Sequence, residues 1–394
     1  MRWASAISTA SHPDRAISDC AAAVEAALEG RSPDLVLAFV SPRADAPHER
    51  VARLLGKSFP TAFRIGCSGG GVIGGGREVE QGPGVSMIAA VLPGVTLEPL
   101  RVEGDEAGAP GTPEAMAARL GVRPGSEPHF LLLAEPFGFD AESFIRALDS
   151  TFPGSAKIGG IASGGEEPGQ NGLWLGDAAY GSGLVGVALD GDVELDTIVA
   201  QGCRPVGEPH FITRCRQNVL IEIDGRPPLE ALRELYRNLD ARDRELLRHS
   251  LFIGIVMDEH RQEYGRGDFL IRNILGIDGE SGAVGVGALL REGSVVQFHL
   301  RDAHTSAEDL EELLGRHVRA RPGPNGSLLF SCRGRGEYLY GRPGHDSDVF
   351  RQHVGDVPLG GFFCNGEIGP VQGRTFLHGY TSSFGLFRPR VRAS

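Results

Sequence analysis

A chain of 394 residues is too long for one ordinary hydrophobic core, and its 41% apolar and 23% charged content is that of a globular protein of two or three domains. A net charge of −12 and a pI near 5.5 set the mean field against nucleic acid and anionic membrane surfaces, so neither is expected as a partner. Six cysteines (Cys20, Cys67, Cys203, Cys215, Cys332, Cys364) include no CxxC pair and no zinc-finger spacing, which speaks against a metal or redox motif and for reduced thiols in a cytoplasmic protein.

The amino-terminal stretch lacks the continuous apolar core of a signal peptide, and no apolar run approaches the roughly 20 residues that span a bilayer. From residue 35 the chain reads as an apolar strand, LVLAFV, then a helical stretch, HERVARLLGKS, then FPTAFRIG and a glycine-rich turn, then the strand VSMIAAVL. The same order returns 93 residues later as HFLLLAEPFG, AESFIRALDST, FPGSAKIG, a glycine-rich turn and GLVGVAL, and both copies share FPxxxxIG. A strand-helix-hairpin unit used twice is predicted over 34–100 and 129–200.

VLIEIDGRPP then reads as a strand and a boundary near residue 223. The segment 227–250 has helical apolar spacing behind a Pro pair, and SLFIGIVM, FLIRNILGID, AVGVGALL and SVVQFHL read as four strands before the helix SAEDLEELLGRHV. A looser third copy closes the chain, with LLFSCRGRG as strand, HDSDVFRQHVG as helix and VPLGGFFCNGEIGP as a Pro-then-Gly turn. The predicted fold is mixed α+β, with large mixed or antiparallel sheets and flanking helices.

Several short patterns match catalytic signatures and fail on context. Gly69, Gly71 and Gly74 spell GxGxxG, but GGREVEQGPG follows where a dinucleotide site needs a helix. GKS at 56–58 lacks the first glycine of a phosphate loop, since Val51 stands there, and GCSGG lacks the helix that must follow a nucleophile elbow. The histidines show no HxxxH or HExxH spacing, so no metal site is predicted, while a single haem-ligating histidine leaves no pattern to read. Cys364 with His378 offers a thiol–imidazole pair, although the phenylalanines beside Cys364 favour a buried thiol. Glu367, framed by glycine and proline in NGEIGP, needs a partner if buried, and Arg333, Arg335 and Arg374 are the candidates.

SCRGRG, the Pro-Leu-Gly-Gly-Phe turn, CNGEIGP and FLHGYTSS, together with GCSGGGVIGGGREVEQGPGVSMIAA, resemble the FIST family of bacterial sensory proteins with paired amino-terminal and carboxy-terminal FIST domains. The resemblance implies domains at 30–222 and 223–382 and a role in sensing a small ligand, with amino acids the class usually proposed. Kinase, chemoreceptor and cyclic-dinucleotide modules that often accompany such domains are expected to have no residues left here, so a separate partner protein or an unrecognised enzymatic role would have to supply the output of signal transduction. The expected ligand set is Arg333, Arg335, Cys364, Asn365, Gly366, Glu367, Arg374, Cys67 and Ser68, where backbone N–H groups and arginines suit a carboxylate and Glu367 an ammonium. No cofactor is predicted. The alternatives are a thiol-dependent enzyme using Cys364 and His378, and a haem-based gas sensor; whether the protein is an enzyme stays open, with the non-enzymatic reading leading.

Overall fold

The computed structural model describes residues 1–41, 47–104, 112–123, 125–261, 263–321 and 323–390. They form two compact units, one of residues 1–199 with 311–394 and one of residues 200–310.

The larger unit is built from one pattern used three times. The strand Leu35–Val40 runs parallel to Phe63–Ser68 and antiparallel to Val85–Val91; His129–Ala134 runs parallel to Lys157–Ile161 and antiparallel to Leu184–Gly191; Gly326–Cys332 runs parallel to Leu359–Cys364 and antiparallel to Ser382–Arg388. An outer strand flanks each set: Arg2–Ser8, Val95–Val102 and Glu194–Ala200. The predicted repeat is therefore present, and its third copy shares the strand order of the first two. Its GGFFC is not a turn but the second parallel strand, because Gly361 occupies the register held by Gly66 and Gly159 in the other copies.

That register explains the invariant end of FPxxxxIG. Gly66, Gly159 and Gly361 lie directly opposite Ala38, Leu132 and Leu329, whose carbonyl oxygens a Cβ at the glycine would overlap. The cation before the motif's Ile also has a task. The Arg64 guanidinium donates to Phe59 O, and the Lys157 ammonium donates to Phe152 O, each closing the end of its preceding helix.

Those helices, His48–Ser58 and Ala141–Thr151, bury the same face, Val51, Ala52 and Leu55 in one and Phe144, Ile145 and Leu148 in the other. Asp140 caps the second by accepting from Ser143 N at 3.0 Å.

The short hairpin after each second strand does not pair within its own copy. Val72–Gly74 of the first copy joins Leu359–Cys364 of the third, Glu367–Val371 of the third joins Lys157–Ile161 of the second, and Leu173–Leu175 of the second joins Phe63–Ser68 of the first. Three six-stranded sheets result, each completed by a neighbour's hairpin. One core draws Leu37, Phe39, Ile65, Leu131, Ile158, Leu328, Phe330 and Phe362 from all three, and Phe39 stacks on Phe362 at 4.9 Å between centroids.

The smaller unit holds a closed six-stranded barrel in the order Cys203–Arg216, Val219–Ile223, Val284–Val286, Phe269–Ile277, Leu251–Val256 and Val295–Arg301. In chain order it interrupts the third copy, between the outer strand Glu194–Ala200 and the central strand Gly326–Cys332. By packing, the two units divide at 199/200 and 310/311. The helical reading of 227–250 is corrected to two helices, Pro228–Asn238 and Ala241–His249. Asp240 leaves the helix and caps the second by accepting from Asp243 N at 2.8 Å.

Candidate functional site

A cavity of about 360 Å³ opens where the first and third copies exchange strands, lined by Gly70, Glu80, Gln81, Arg333, Glu337, Tyr338 and Phe363. Gly70 lies in the turn before the exchanged hairpin, Glu80 and Gln81 follow that hairpin, and Arg333 and Phe363 come from the ends of the third copy's parallel strands. Backbone bonds fix these pieces: Phe363 N donates to Gly71 O at 3.0 Å, Arg333 N to Cys364 O at 3.2 Å, and Gly70 N to Ser163 Oγ at 2.8 Å. The Arg333 side chain lies over Gly70, so closely that a Cβ there would sit 2.8 Å from Nε.

Two carboxylates share the cavity with this guanidinium. Both oxygens of Glu80 accept from Glu337 N at 2.9 Å. Burial raises the Glu80 pKa, the neighbouring Glu337 and Asp346 charges add to this, and the Glu337 N–H opposes it. Among the described residues, no hydrogen bond or ion pair engages the Arg333 guanidinium.

Behind the cavity wall lies a buried charged cluster. Arg335, fully buried, grips Asp346 through Nε at 2.8 Å and Nη2 at 3.1 Å and also donates to the Tyr340 hydroxyl at 2.6 Å. Ser382 and His345 also bond Asp346, and the His345 ring stacks on Tyr340 at 3.5 Å. Burial alone would raise the Asp346 pKa, but the Arg335 charge and the bonds from His345, Arg335 and Ser382 hold it well below the usual carboxylate range. Glu78 goes the other way. Burial, with the Asp346 charge added, raises it to about 8, while Ser347 N donates to its Oε1 at 2.7 Å.

Glu367 is fully buried and, among the described residues, no arginine hydrogen-bonds or ion-pairs with it, although the Arg335 charge acts on it. Its Oε2 accepts from Thr381 N at 3.1 Å and Thr381 Oγ1 at 2.8 Å, and its Oε1 accepts from the Cys364 thiol at 3.4 Å. Burial raises its pKa to about 7. The Cys364 Sγ donates also to Ser331 O at 3.3 Å, and burial pushes this thiol well above the ordinary range. His378 Nε2 sits 3.0 Å from Gly369 O, so the hydrogen bonds shown for Cys364 run to Glu367 and Ser331.

The remaining expected ligand residues are dispersed. Arg374 is exposed over the Phe376 ring, 5.5 Å from its centroid. Cys67 is buried in the three-sheet core, and Ser68 Oγ accepts from Gly172 N at 3.1 Å. Asn365 Nδ2 donates to Ala162 O at 3.3 Å, and Gly366 O accepts from Ile161 N at 2.8 Å. Of the nine, Arg333 lines the cavity, while Cys364 follows its Phe363 and leads to Glu367. Glu80, Gln81 and Tyr338 escaped the sequence reading because the hairpin exchange that gathers them leaves no mark in local pattern. Among the described residues no group of three or more His, Cys, Asp or Glu side chains is placed to hold a metal, and no helix is long and apolar enough to cross a membrane.

Comparison with known proteins agrees with the sequence motifs. The uncharacterized protein Rv0628c of Mycobacterium tuberculosis is 38% identical over 391 residues, spanning 98% of this chain and 100% of its own. The uncharacterized protein Mb0898c of Mycobacterium bovis is 35% identical over 374 residues, spanning 93% and 95%. A solved cyanuric acid hydrolase structure aligns over 99% of this chain and 100% of its own with a TM-score of 0.31 and 10% identity, too weak a likeness to support any argument. The FIST N domain model matches residues 34–226 and the FIST C domain model residues 228–370, so the chain belongs to the FIST family.

Proposed function

We propose that the protein is a cytosolic sensory protein that binds an amino acid or similar small zwitterion in the cavity at Arg333. FIST domains are associated with sensing small ligands. One observation carries the finer reading: a guanidinium without a hydrogen bond or ion pair among the described residues lines the same small cavity as Glu80 and Glu337. A carboxylate fits the first and an ammonium the second, each by charge-assisted hydrogen bonds. Phe363 and Tyr338 supply apolar surface for a side chain. Output passes to a separate signalling protein.

The test is a thermal-shift screen of the free amino acids, followed by calorimetry. A ligand at about a hundredfold its Kd stabilises the fold by about 2.7 kcal/mol. Arg333→Ala should abolish the shift and Glu80→Gln should reduce it. No shift with any amino acid, or a shift that Arg333→Ala leaves intact, overturns the proposal.

A further inference from the structure

We propose that Cys332 and Cys364 are a peroxide-sensitive thiol pair that closes a disulfide across the two parallel strands of the third copy, with Glu367 accepting the Cys364 proton. This does not depend on the identity of any ligand.

The two cysteines are register partners in the ladder between Gly326–Cys332 and Leu359–Cys364. Neighbouring strands lie about 4.8 Å apart and paired side chains leave the same face. A disulfide joins Cα atoms about 4.4 to 6.8 Å apart, a range that includes the spacing of paired strands. The Cys364 sulfur already leans that way, since it donates to the carbonyl of Ser331, the residue before Cys332. Access differs between them. Cys332 is half-buried, whereas Cys364 is enclosed, as are Cys20, Cys67 and Cys203.

The carboxylate is the second, independent observation. In the shared register, Glu367 takes the place of Val72 in the first copy and Leu173 in the second, both buried and apolar. The other two copies thus fold without an acid there, and burying one is costly. Its Oε1 lies within hydrogen-bond reach of the Cys364 sulfur, and burial holds that thiol protonated at neutral pH unless a base removes the proton.

The chemistry needs hydrogen peroxide and no other reagent. The Cys332 thiolate attacks one peroxide oxygen, the O–O bond breaks, and the second oxygen leaves as hydroxide, taking up the proton lost by the thiol to become water. Cys332 is then a sulfenic acid. Cys364 gives its proton to Glu367, its sulfur attacks the Cys332 sulfur, and hydroxide leaves. Glu367 returns the proton to this hydroxide, forming the second water and the disulfide. Two thiols and one peroxide give one disulfide and two waters.

The experiment treats the full-length protein with hydrogen peroxide at neutral pH, blocks residual thiols and maps peptides by mass spectrometry. The expected product links Cys332 to Cys364 with loss of two hydrogens and is reversed by dithiothreitol. Cys364→Ser should stop the bridge and leave Cys332 as a sulfenic acid trapped by dimedone. Glu367→Gln should form the same sulfenic acid at an unchanged rate and the bridge at least about tenfold more slowly, which a merely structural carboxylate would not do. The pairing is overturned if Cys332 is not oxidised, if it proceeds to sulfinic acid unbridged, or if the bridge recruits Cys67 or Cys215. An unchanged bridging rate in Glu367→Gln removes the carboxylate's role.

Discussion

Gly70→Ala separates the ligand grip from the fold. The added methyl would lie 2.8 Å from Arg333 Nε, 3.1 Å from Cδ and 3.4 Å from Cζ, all in the distal part of a long side chain that can swing away. The bond from Gly70 N to Ser163 is untouched. Stability should stay within about 1 kcal/mol of the parent, since replacing glycine gains about 0.4 to 1 kcal/mol through the unfolded chain. Binding should suffer much more. Charge-assisted hydrogen bonds from a guanidinium are worth about 1.5 to 3 kcal/mol, so losing its position should weaken a carboxylate ligand about 10- to 150-fold. Calorimetry on the amino acid found by thermal shift gives the values for Gly70→Ala, Arg333→Ala and the double variant. If the glycine acts only by seating the arginine, the double variant should bind as weakly as Arg333→Ala and no weaker. Parent-like affinity in Gly70→Ala, or full additivity in the double variant, refutes the reasoning.

Further outcomes follow from the buried groups. The Glu367 pKa is raised from 4.5 to about 7, so the folded state holds the proton more tightly and stability falls as pH climbs through that interval. Glu367→Gln should therefore gain on the parent across pH 4.5 to 7, by up to about 3 kcal/mol, and level off above it in denaturant melts; a gap that shrinks with pH contradicts this. Arg335→Met strands the buried Asp346 charge and should cost about 3 to 5 kcal/mol, whereas Arg333→Met, at the exposed neighbour, should change the melting temperature little. Gly159→Ala drives a methyl into Leu132 O, and because backbone cannot step aside cheaply, it should cost more than about 4 kcal/mol in urea melts.

Much of this was written in local pattern. FPxxxxIG could be found by eye because three physical demands fall on it at once: a helix end closed by Arg64 or Lys157, a buried strand, and a glycine under a carbonyl. The break at Asp240 was missed because Leu239 and Leu246 keep the helical apolar rhythm across it, and only the capping aspartate marks the interruption. The partners of Glu367 were missed for a different reason. Arg335 was the natural candidate by charge and proximity, but Asp346 on the helix His345–Val354 takes it, and Thr381 comes from beyond the hairpin. Three-residue strands such as Val72–Gly74 are too short to encode a partner, so the exchange that builds the cavity could not be read at all.

The hairpin exchange also sets a timetable for the nascent chain. Val72–Gly74 leaves the ribosome well before the strand that receives it, Leu359–Cys364. At about 5 to 20 residues per second the interval, the intervening barrel sequence included, is roughly 15 to 60 s. During that time the first copy carries an apolar hairpin with its edge uncovered, a template for pairing with other chains. The first copy's own sheet depends on a different donor, because the second copy supplies Leu173–Leu175 to it. Completion is collective, and the last strands made close the earliest sheet-edge left open.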